Sequence, residues 1–188
     1  FRIRWCKERG EPKCGNPLNP AKRKFEGVAE KEFQAAWKER WEALLATFPK
    51  PDLQDADLRG AMLDSTELEG ANLLGANFGR ASLINASLDG ANLNSTRFKD
   101  ATLMGADLSG AKLSYANFER ADLSYATFND AEMDSAVLSD ADLTFAVMKD
   151  AKLERAIFDR TNLEHTSLHN AALVKTRFTD ADLDNASL

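Results

Sequence analysis

The chain has 188 residues and a formal net charge of −6, a size that suits one domain or one domain with an appendage. The charge is uneven, because residues 1–50 carry 12 basic and 7 acidic side chains and residues 51–188 carry 12 and 23, so that a basic head precedes an acidic body. No apolar run approaches the roughly 18 residues of a membrane-spanning helix, which excludes such a segment and predicts a soluble body.

Residues 1–20 are predicted to form an irregular arm rich in Gly and Pro. The two cysteines, Cys6 and Cys14, lie eight positions apart in this arm, and a disulfide between them requires an oxidising compartment such as the periplasm or the thylakoid lumen. Two free thiols are the alternative. The stretch Phe1–Arg9 fits the flank of a removed signal, of a membrane span or of a larger membrane-attached protein, so the compartment stays open.

Residues 21–50 predict an N-terminal capping helix. Apolar residues recur at steps of three and four, including Phe33, Trp37 and Trp41, and Pro49 stops the pattern. A solenoid needs its first coil covered, which favours the cap. A helix that binds a partner or a membrane surface is the alternative, since the two Trp residues on one stripe suit it equally.

Residues 51–188 repeat every five residues without interruption. Positions 56, 61 and onward to 186 are all Ala or Thr, and positions 53, 58 and onward to 188 are all Leu, Phe or Met. Alternation within each segment turns these two residues inward and the polar residues outward, and the fifth residue must then turn the chain. A strict period of five does not fit an α-helix, whose period is 3.6. The sequence therefore predicts an all-β solenoid.

Two columns at a spacing of twenty indicate that four segments make one coil. Of the six Phe residues at the central position of a segment, five are separated by multiples of twenty, namely Phe78, Phe98, Phe118, Phe158 and Phe178. A stacking charge ladder alternates in sign at the same spacing: Arg80, Asp100, Arg120, Asp140, Arg160 and Asp180. We therefore expect a square tube of about seven coils, roughly 33 Å long, with four inner columns that include an all-Leu column from Leu63 to Leu183.

The segments Ala56-Asp57-Leu58, Ala71-Asn72-Leu73 and Ala106-Asp107-Leu108 carry the motif A(D/N)LXX, and the chain is similar to the pentapeptide repeat family over about 135 residues. The resemblance implies a right-handed quadrilateral β-helix. The family includes gyrase-protecting DNA mimics, bacterial effectors and proteins of the photosynthetic lumen, so the resemblance leaves the function open.

Outward apolar residues are optional in such a repeat and are therefore the most informative about function. One predicted protein-binding stripe consists of Ile84, Met104, Tyr125, Phe145 and Val147, with His165 next in line, and a second patch consists of Tyr115, Val137 and Ile157. A contiguous patch of this kind is typical of a protein interface. Scattered surface residues without a function are the alternative.

The sequence predicts no catalytic site, no metal site and no cofactor. The only histidines, His165 and His169, are expected on the surface of the tube, and no nucleophile, base and orienting group occur together. The short Cys spacing of a zinc site is also missing. We therefore expect a protein that is not an enzyme.

A non-enzymatic scaffold that binds a protein of unknown identity, or has a structural role, is the function predicted from these features. The alternative is an acidic DNA mimic that binds a topoisomerase or another DNA-binding protein, although a 33 Å duplex carries roughly 19 charges and this body a net 11. Direct nucleic-acid binding is not expected. If the chain truly ends at Leu188, its open end predicts end-to-end self-association, whereas a continuing chain would cover that end.

Overall fold

The computed structural model describes residues 51–188, which contain no helix and no strand longer than one residue. Each five-residue segment has instead one β-bridge residue, from Asp52 to Ser187, followed by a two-residue turn, from 54–55 to 184–185. The predicted arm at residues 1–20, the helix at residues 21–50 and the cysteines lie outside the described residues and stay predictions.

Stacked coils of twenty residues arise from the pairing of these bridges. Every bridge is parallel and joins a residue to the one twenty positions later, as in Asp122↔Asp142 and Val137↔Ile157. Backbone hydrogen bonds also join neighbouring coils, as where the amide of Phe98 donates to the carbonyl of Asn117 at 2.7 Å. The period predicted from the Phe column is therefore the period of the pairing.

A tight turn at every fifth residue closes each segment. The amide of Ala101 donates to the carbonyl of Phe98 at 3.0 Å, three residues back, and the same bond recurs along the body. The second residue of each turn, such as Asp100, has a positive φ, while the first, such as Lys99, does not. A positive φ at that position alone is the arrangement of a type II turn.

The core consists of the inward Ala, Thr, Leu, Phe and Met side chains. Phe78, Phe98 and Phe118 are fully buried and stack with ring centroids 5.0 and 4.8 Å apart. Thr residues replace Ala without leaving a buried hydroxyl unpaired, since Oγ1 of Thr161 donates to the carbonyl of Leu138 on the preceding coil at 2.8 Å. Small inward residues thus leave room for one large side chain per segment.

Burial falls towards both limits of the described coils. Leu183 was expected in the buried all-Leu column, but it is 40% exposed, and Leu188 is also exposed. Leu58 and Leu63 in the first described coil are half-buried. The reason is that each of these side chains has a neighbouring coil on one side only among the described residues.

The outward residues form four faces, which we number by the first coil. Face 1 comprises residues 52, 54 and 55, face 2 residues 57, 59 and 60, face 3 residues 62, 64 and 65, and face 4 residues 67, 69 and 70, each with its equivalents at intervals of twenty. The last residue of each set is the turn residue with positive φ, and it forms the corner that leads to the next face. Every outward side chain therefore has a face and a coil.

Candidate functional site

The corners hold side chains in a backbone conformation that bulky residues rarely adopt. All 27 corner residues from Asp55 to Asn185 have φ between 53 and 70°, and 21 of them are not glycine. A left-handed conformation costs most residues roughly 1–2 kcal/mol, and Asn, Asp and Gly adopt it most readily. Large aromatic residues at corners are therefore unexpected on grounds of folding alone.

Three successive corners of face 3 nevertheless carry ring side chains, Tyr125, Phe145 and His165, which we call the aromatic corner. The rings of Tyr125 and Phe145 stack with centroids 5.2 Å apart and planes 11° apart, and those of Phe145 and His165 stack at 4.7 Å and 7°. Tyr125 is 59% and Phe145 44% exposed. The repeat thus builds an ordered aromatic surface that faces solvent.

Backbone pairing fixes the aromatic corner on the tube. The amide of Tyr125 donates to the carbonyl of Thr144, and that of Phe145 to the carbonyl of Glu164, each at 3.0 Å. His165 Nε2 lies 3.5 Å from Glu164 Oε1, a contact that becomes an ion pair when the imidazole is protonated. These bonds hold the three rings in register without help from a loop or a cavity.

The other residues of the predicted stripe lie beside the aromatic corner. Met104 and Val147 are exposed and Ile84 is half-buried. Ile84 and Met104 occupy equivalent positions of face 3 on consecutive coils, and Val147 follows Phe145 by two residues on face 4. The structure stacks Tyr125 on Phe145, as their spacing suggested, and adds His165, which the sequence placed next in line.

The second predicted patch is less exposed. Val137 and Ile157 pair directly across a bridge on face 2, and both are half-buried, while Tyr115 at the preceding corner is 65% exposed. No stacked ring adjoins Tyr115 within residues 51–188. Two exposed apolar residues were missed by the sequence reasoning, Met62 and Val174, which lie near the two limits of the described coils.

The predicted charge ladder consists of separate pairs. Arg120 Nε donates to Asp100 Oδ1 at 2.7 Å, and Arg160 donates to both oxygens of Asp140 at 2.6 Å. These hydrogen bonds from arginine hold the pKa values of Asp100 and Asp140 below their usual range. Within residues 51–188 no ion pair joins Arg80 to Asp100, so the ladder is not continuous.

Charge is distributed unequally over the four faces. Face 1 carries five acidic and four basic side chains, and face 2 six and seven. Face 3 carries six acidic and no basic side chains, and face 4 carries six acidic side chains and one basic one, Lys149. The net charge of −11 therefore lies on faces 3 and 4, which meet at the aromatic corner.

No helix within the described residues is long and apolar enough to cross a membrane. Residues 51–188 contain no group of three or more His, Cys, Asp and Glu side chains that could hold a metal ion. The stacked, exposed rings make the aromatic corner the candidate functional site of the described coils.

Comparison with known proteins agrees with the repeat. The family model described as pentapeptide repeats matches in eight copies, over residues 46–78, 63–100, 71–110, 101–140, 136–180 and 161–188. No curated protein matches the chain.

Several solved structures are similar to the chain. HetL, a pentapeptide repeat protein of heterocyst differentiation regulation from the cyanobacterium Nostoc sp. strain PCC 7120, is 27% identical over 73% of this chain and 74% of its own, with a TM-score of 0.40. A pentapeptide repeat protein of the Arabidopsis thaliana thylakoid lumen is 27% identical over 59% and 70%, with a TM-score of 0.31. Rfr23 from the cyanobacterium Cyanothece 51142 is 21% identical over 70% and 86%, with a TM-score of 0.33.

Proposed function

Because the chain belongs to the pentapeptide repeat family, we propose that it is a non-enzymatic protein-binding scaffold built as a right-handed quadrilateral β-helix. The observation that carries this proposal is the aromatic corner, where Tyr125, Phe145 and His165 stack in solvent. The binding surface is the predicted stripe from Ile84 to Val147 together with His165.

Conformational cost supports a role in binding for these rings. Phe145 has a φ of 60° and Tyr125 a φ of 59°, a backbone region that suits Asn or Gly better than a bulky ring. Exposed aromatic side chains contribute little to the core but dominate the energetics of many interfaces. A fold-only explanation would favour smaller residues at these corners.

Substitution by asparagine separates binding from folding at this site. The double variant Y125N/F145N replaces both rings by a residue that adopts the left-handed conformation readily, so we expect an unchanged or slightly higher thermal midpoint. Its capture of partner proteins from cells of the native source should fall to background. The measurement is quantitative affinity purification with the full chain as bait, beside a thermal melt.

The matched control is Y115N, which removes the same kind of ring from the same turn position at a different corner, where φ is 61°. It should leave the captured proteins unchanged. Loss of capture with Y115N and not with Y125N/F145N would transfer the proposal to the second patch, and no loss with either variant would overturn it.

The one-sided charge favours a second candidate, an acidic mimic of DNA. A duplex as long as the tube carries roughly 19 charges, spread over all its sides. This chain carries fewer, a net 11, but places them on two adjacent faces, so that one side of the tube resembles one side of a duplex in charge. A mimic of this kind would compete with duplex DNA for a topoisomerase. A gyrase supercoiling assay at low salt tests it, and full activity at micromolar protein would remove this candidate.

A further inference from the structure

Face 3 lacks the counter-charges that faces 1 and 2 supply for themselves, and face 4 has only one, Lys149. On face 1 Lys152 Nζ lies 2.9 Å from Glu132 Oε1, and on face 2 Lys99 Nζ lies 2.8 Å from Glu119 Oε1. Both pairs join one coil to the next. Face 3 contains no Lys or Arg in the described coils, so none of its carboxylates has such a partner on the same face.

Like charges stack on face 3. Asp122 and Asp142 are paired directly across a parallel bridge, one coil apart. Like charges placed opposite one another destabilise neighbouring strands, and the sequence avoids this arrangement where Glu132 lies between Lys112 and Lys152. The carboxylates of face 3 therefore lower stability in the free protein, and they would be relieved by cations from outside the chain.

Local hydrogen bonds orient these carboxylates and leave one oxygen of each free. Asp122 Oδ1 accepts from the amide and the hydroxyl of Ser124 at 3.0 and 2.7 Å, and Asp142 Oδ1 accepts from the amide of Thr144 at 3.0 Å. Within the described residues, neither Oδ2 has a donor. Asp122 and Asp142 therefore each present an oriented, unpaired acceptor three residues from a ring of the aromatic corner.

We propose that the partner segment which binds the aromatic corner is basic as well as apolar, with Lys or Arg side chains interleaved with apolar ones. This inference rests on the proposed function and names the chemistry of its partner. Apolar side chains of the segment pack on Phe145, Met104 and Val147, and its cations pair with Asp122, Asp142 and Glu164. The three rings span about 10 Å, the length of roughly three residues of extended chain.

Peptide probes test the proposal. A fluorescently labelled peptide of about eight residues that alternates Arg with Leu is titrated with the full chain, beside an equally long peptide that alternates Glu with Leu, and binding is read by anisotropy. We expect the Arg peptide to bind, to bind more weakly as salt rises, and the Glu peptide not to bind. Equal binding of the two peptides would overturn a basic partner while leaving the scaffold function intact.

Matched variants locate the binding. D122N/D142N keeps the Oδ1 acceptors but removes two charges from face 3, and we expect it to weaken the Arg peptide about tenfold. D134N/E154Q removes two charges from face 1 and should have no effect. Equal weakening by both variants would mean that only net charge matters, which contradicts the proposal.

Removal of the rings separates the two proposals. Y125N/F145N should weaken the Arg peptide as much as the charge variant does, with circular dichroism confirming that every variant is folded. Undiminished binding of the peptide by Y125N/F145N would contradict this inference, whereas the scaffold surface is decided by the affinity purification with the same variant.

Discussion

The corner residue of each segment is where the repeat imposes its strictest local demand. Gly60, Gly75 and Gly90 meet this demand without a side chain, whereas Tyr125 and Phe145 adopt the same left-handed conformation with a bulky ring. The sequence predicted a turn here because Gly recurs at this position. It could not predict that φ is positive at all 27 corners, because 12 of them carry residues other than Gly, Asn and Asp.

The cost of this conformation can be measured at a glycine with no other constraint. Gly90 has a φ of 60° and a Cβ there would meet nothing within 4 Å, so Gly90→Ala isolates the backbone term and should lower the free energy of unfolding by about 1 kcal/mol. Gly79 lies one position before a corner and outside the left-handed region. Gly79→Ala places a Cβ 3.3 Å from Asn77 Oδ1, so this side chain must shift slightly, and the shift offsets the gain of about 0.4–1 kcal/mol expected from the stiffer unfolded chain. The net change in stability should therefore be smaller than for Gly90→Ala.

Urea denaturation of both variants at neutral pH provides the measurement. Gly90→Asn is the control, since asparagine tolerates the left-handed region and should recover most of the loss. Unchanged stability of Gly90→Ala would mean that the corner conformation costs little, and the conformational case for Tyr125 and Phe145 would then have no basis.

At the scale of the coil, the sequence predicted the period correctly and the charge contacts incompletely. The Phe and Arg/Asp columns indicate stacking at twenty residues, and the bridges have that period. Each charge was expected to lie between two opposite ones. Asp140 does lie between Arg120 and Arg160, but only Arg160 is hydrogen-bonded to it within the described residues, through both of its oxygens. Side-chain geometry of this kind cannot be derived from spacing.

The Arg–Asp ion pairs of the charge ladder predict how the stability of the fold depends on pH. The hydrogen bonds and charge of Arg160 lower the pKa of Asp140. A carboxyl whose pKa is lowered by folding stabilises the fold above its unfolded pKa, and this contribution is lost as the pH falls below about 4 and through the folded pKa. Arg160→Met should therefore return the pKa of Asp140 to its usual range and weaken the acid dependence of unfolding.

Carboxyl resonances followed by NMR titration give the pKa directly. Lys149→Met serves as the control, because Lys149 contacts Asp150 and not Asp140. An unchanged Asp140 titration in Arg160→Met would show that the pair does not persist in solution, as is common for exposed ion pairs.

For the whole molecule, the four faces differ in charge although they share one interior. The total of −11 was available from the sequence, but its confinement to two faces required the assignment of every outward residue to a face. The same assignment places the aromatic corner at the centre of the acidic side. The interior follows from the repeat, whereas the function depends on outward residues that the repeat leaves free.

One-sided charge predicts how salt affects the fold. The carboxylates on faces 3 and 4, of which Asp150 is paired with Lys149, repel one another at neutral pH, and added salt screens this repulsion. We therefore expect the thermal midpoint to rise by a few degrees between low and high sodium chloride. D122N/D142N should raise the midpoint at low salt and reduce its dependence on salt, because it removes the stacked pair on face 3.

Removal of a carboxylate from face 1 is expected to change the thermal midpoint in the opposite direction. Glu132 pairs with Lys152 and raises the pKa of that lysine, so Glu132→Gln leaves Lys112 and Lys152 without the carboxylate between them. Its midpoint should fall at low salt and approach that of the unmodified chain at high salt, where exposed ion pairs are screened. Thermal melts of the unmodified chain, D122N/D142N and Glu132→Gln across a salt series test both predicted changes in the midpoint. A midpoint that falls with added salt in the unmodified chain would contradict the idea that faces 3 and 4 hold uncompensated charge.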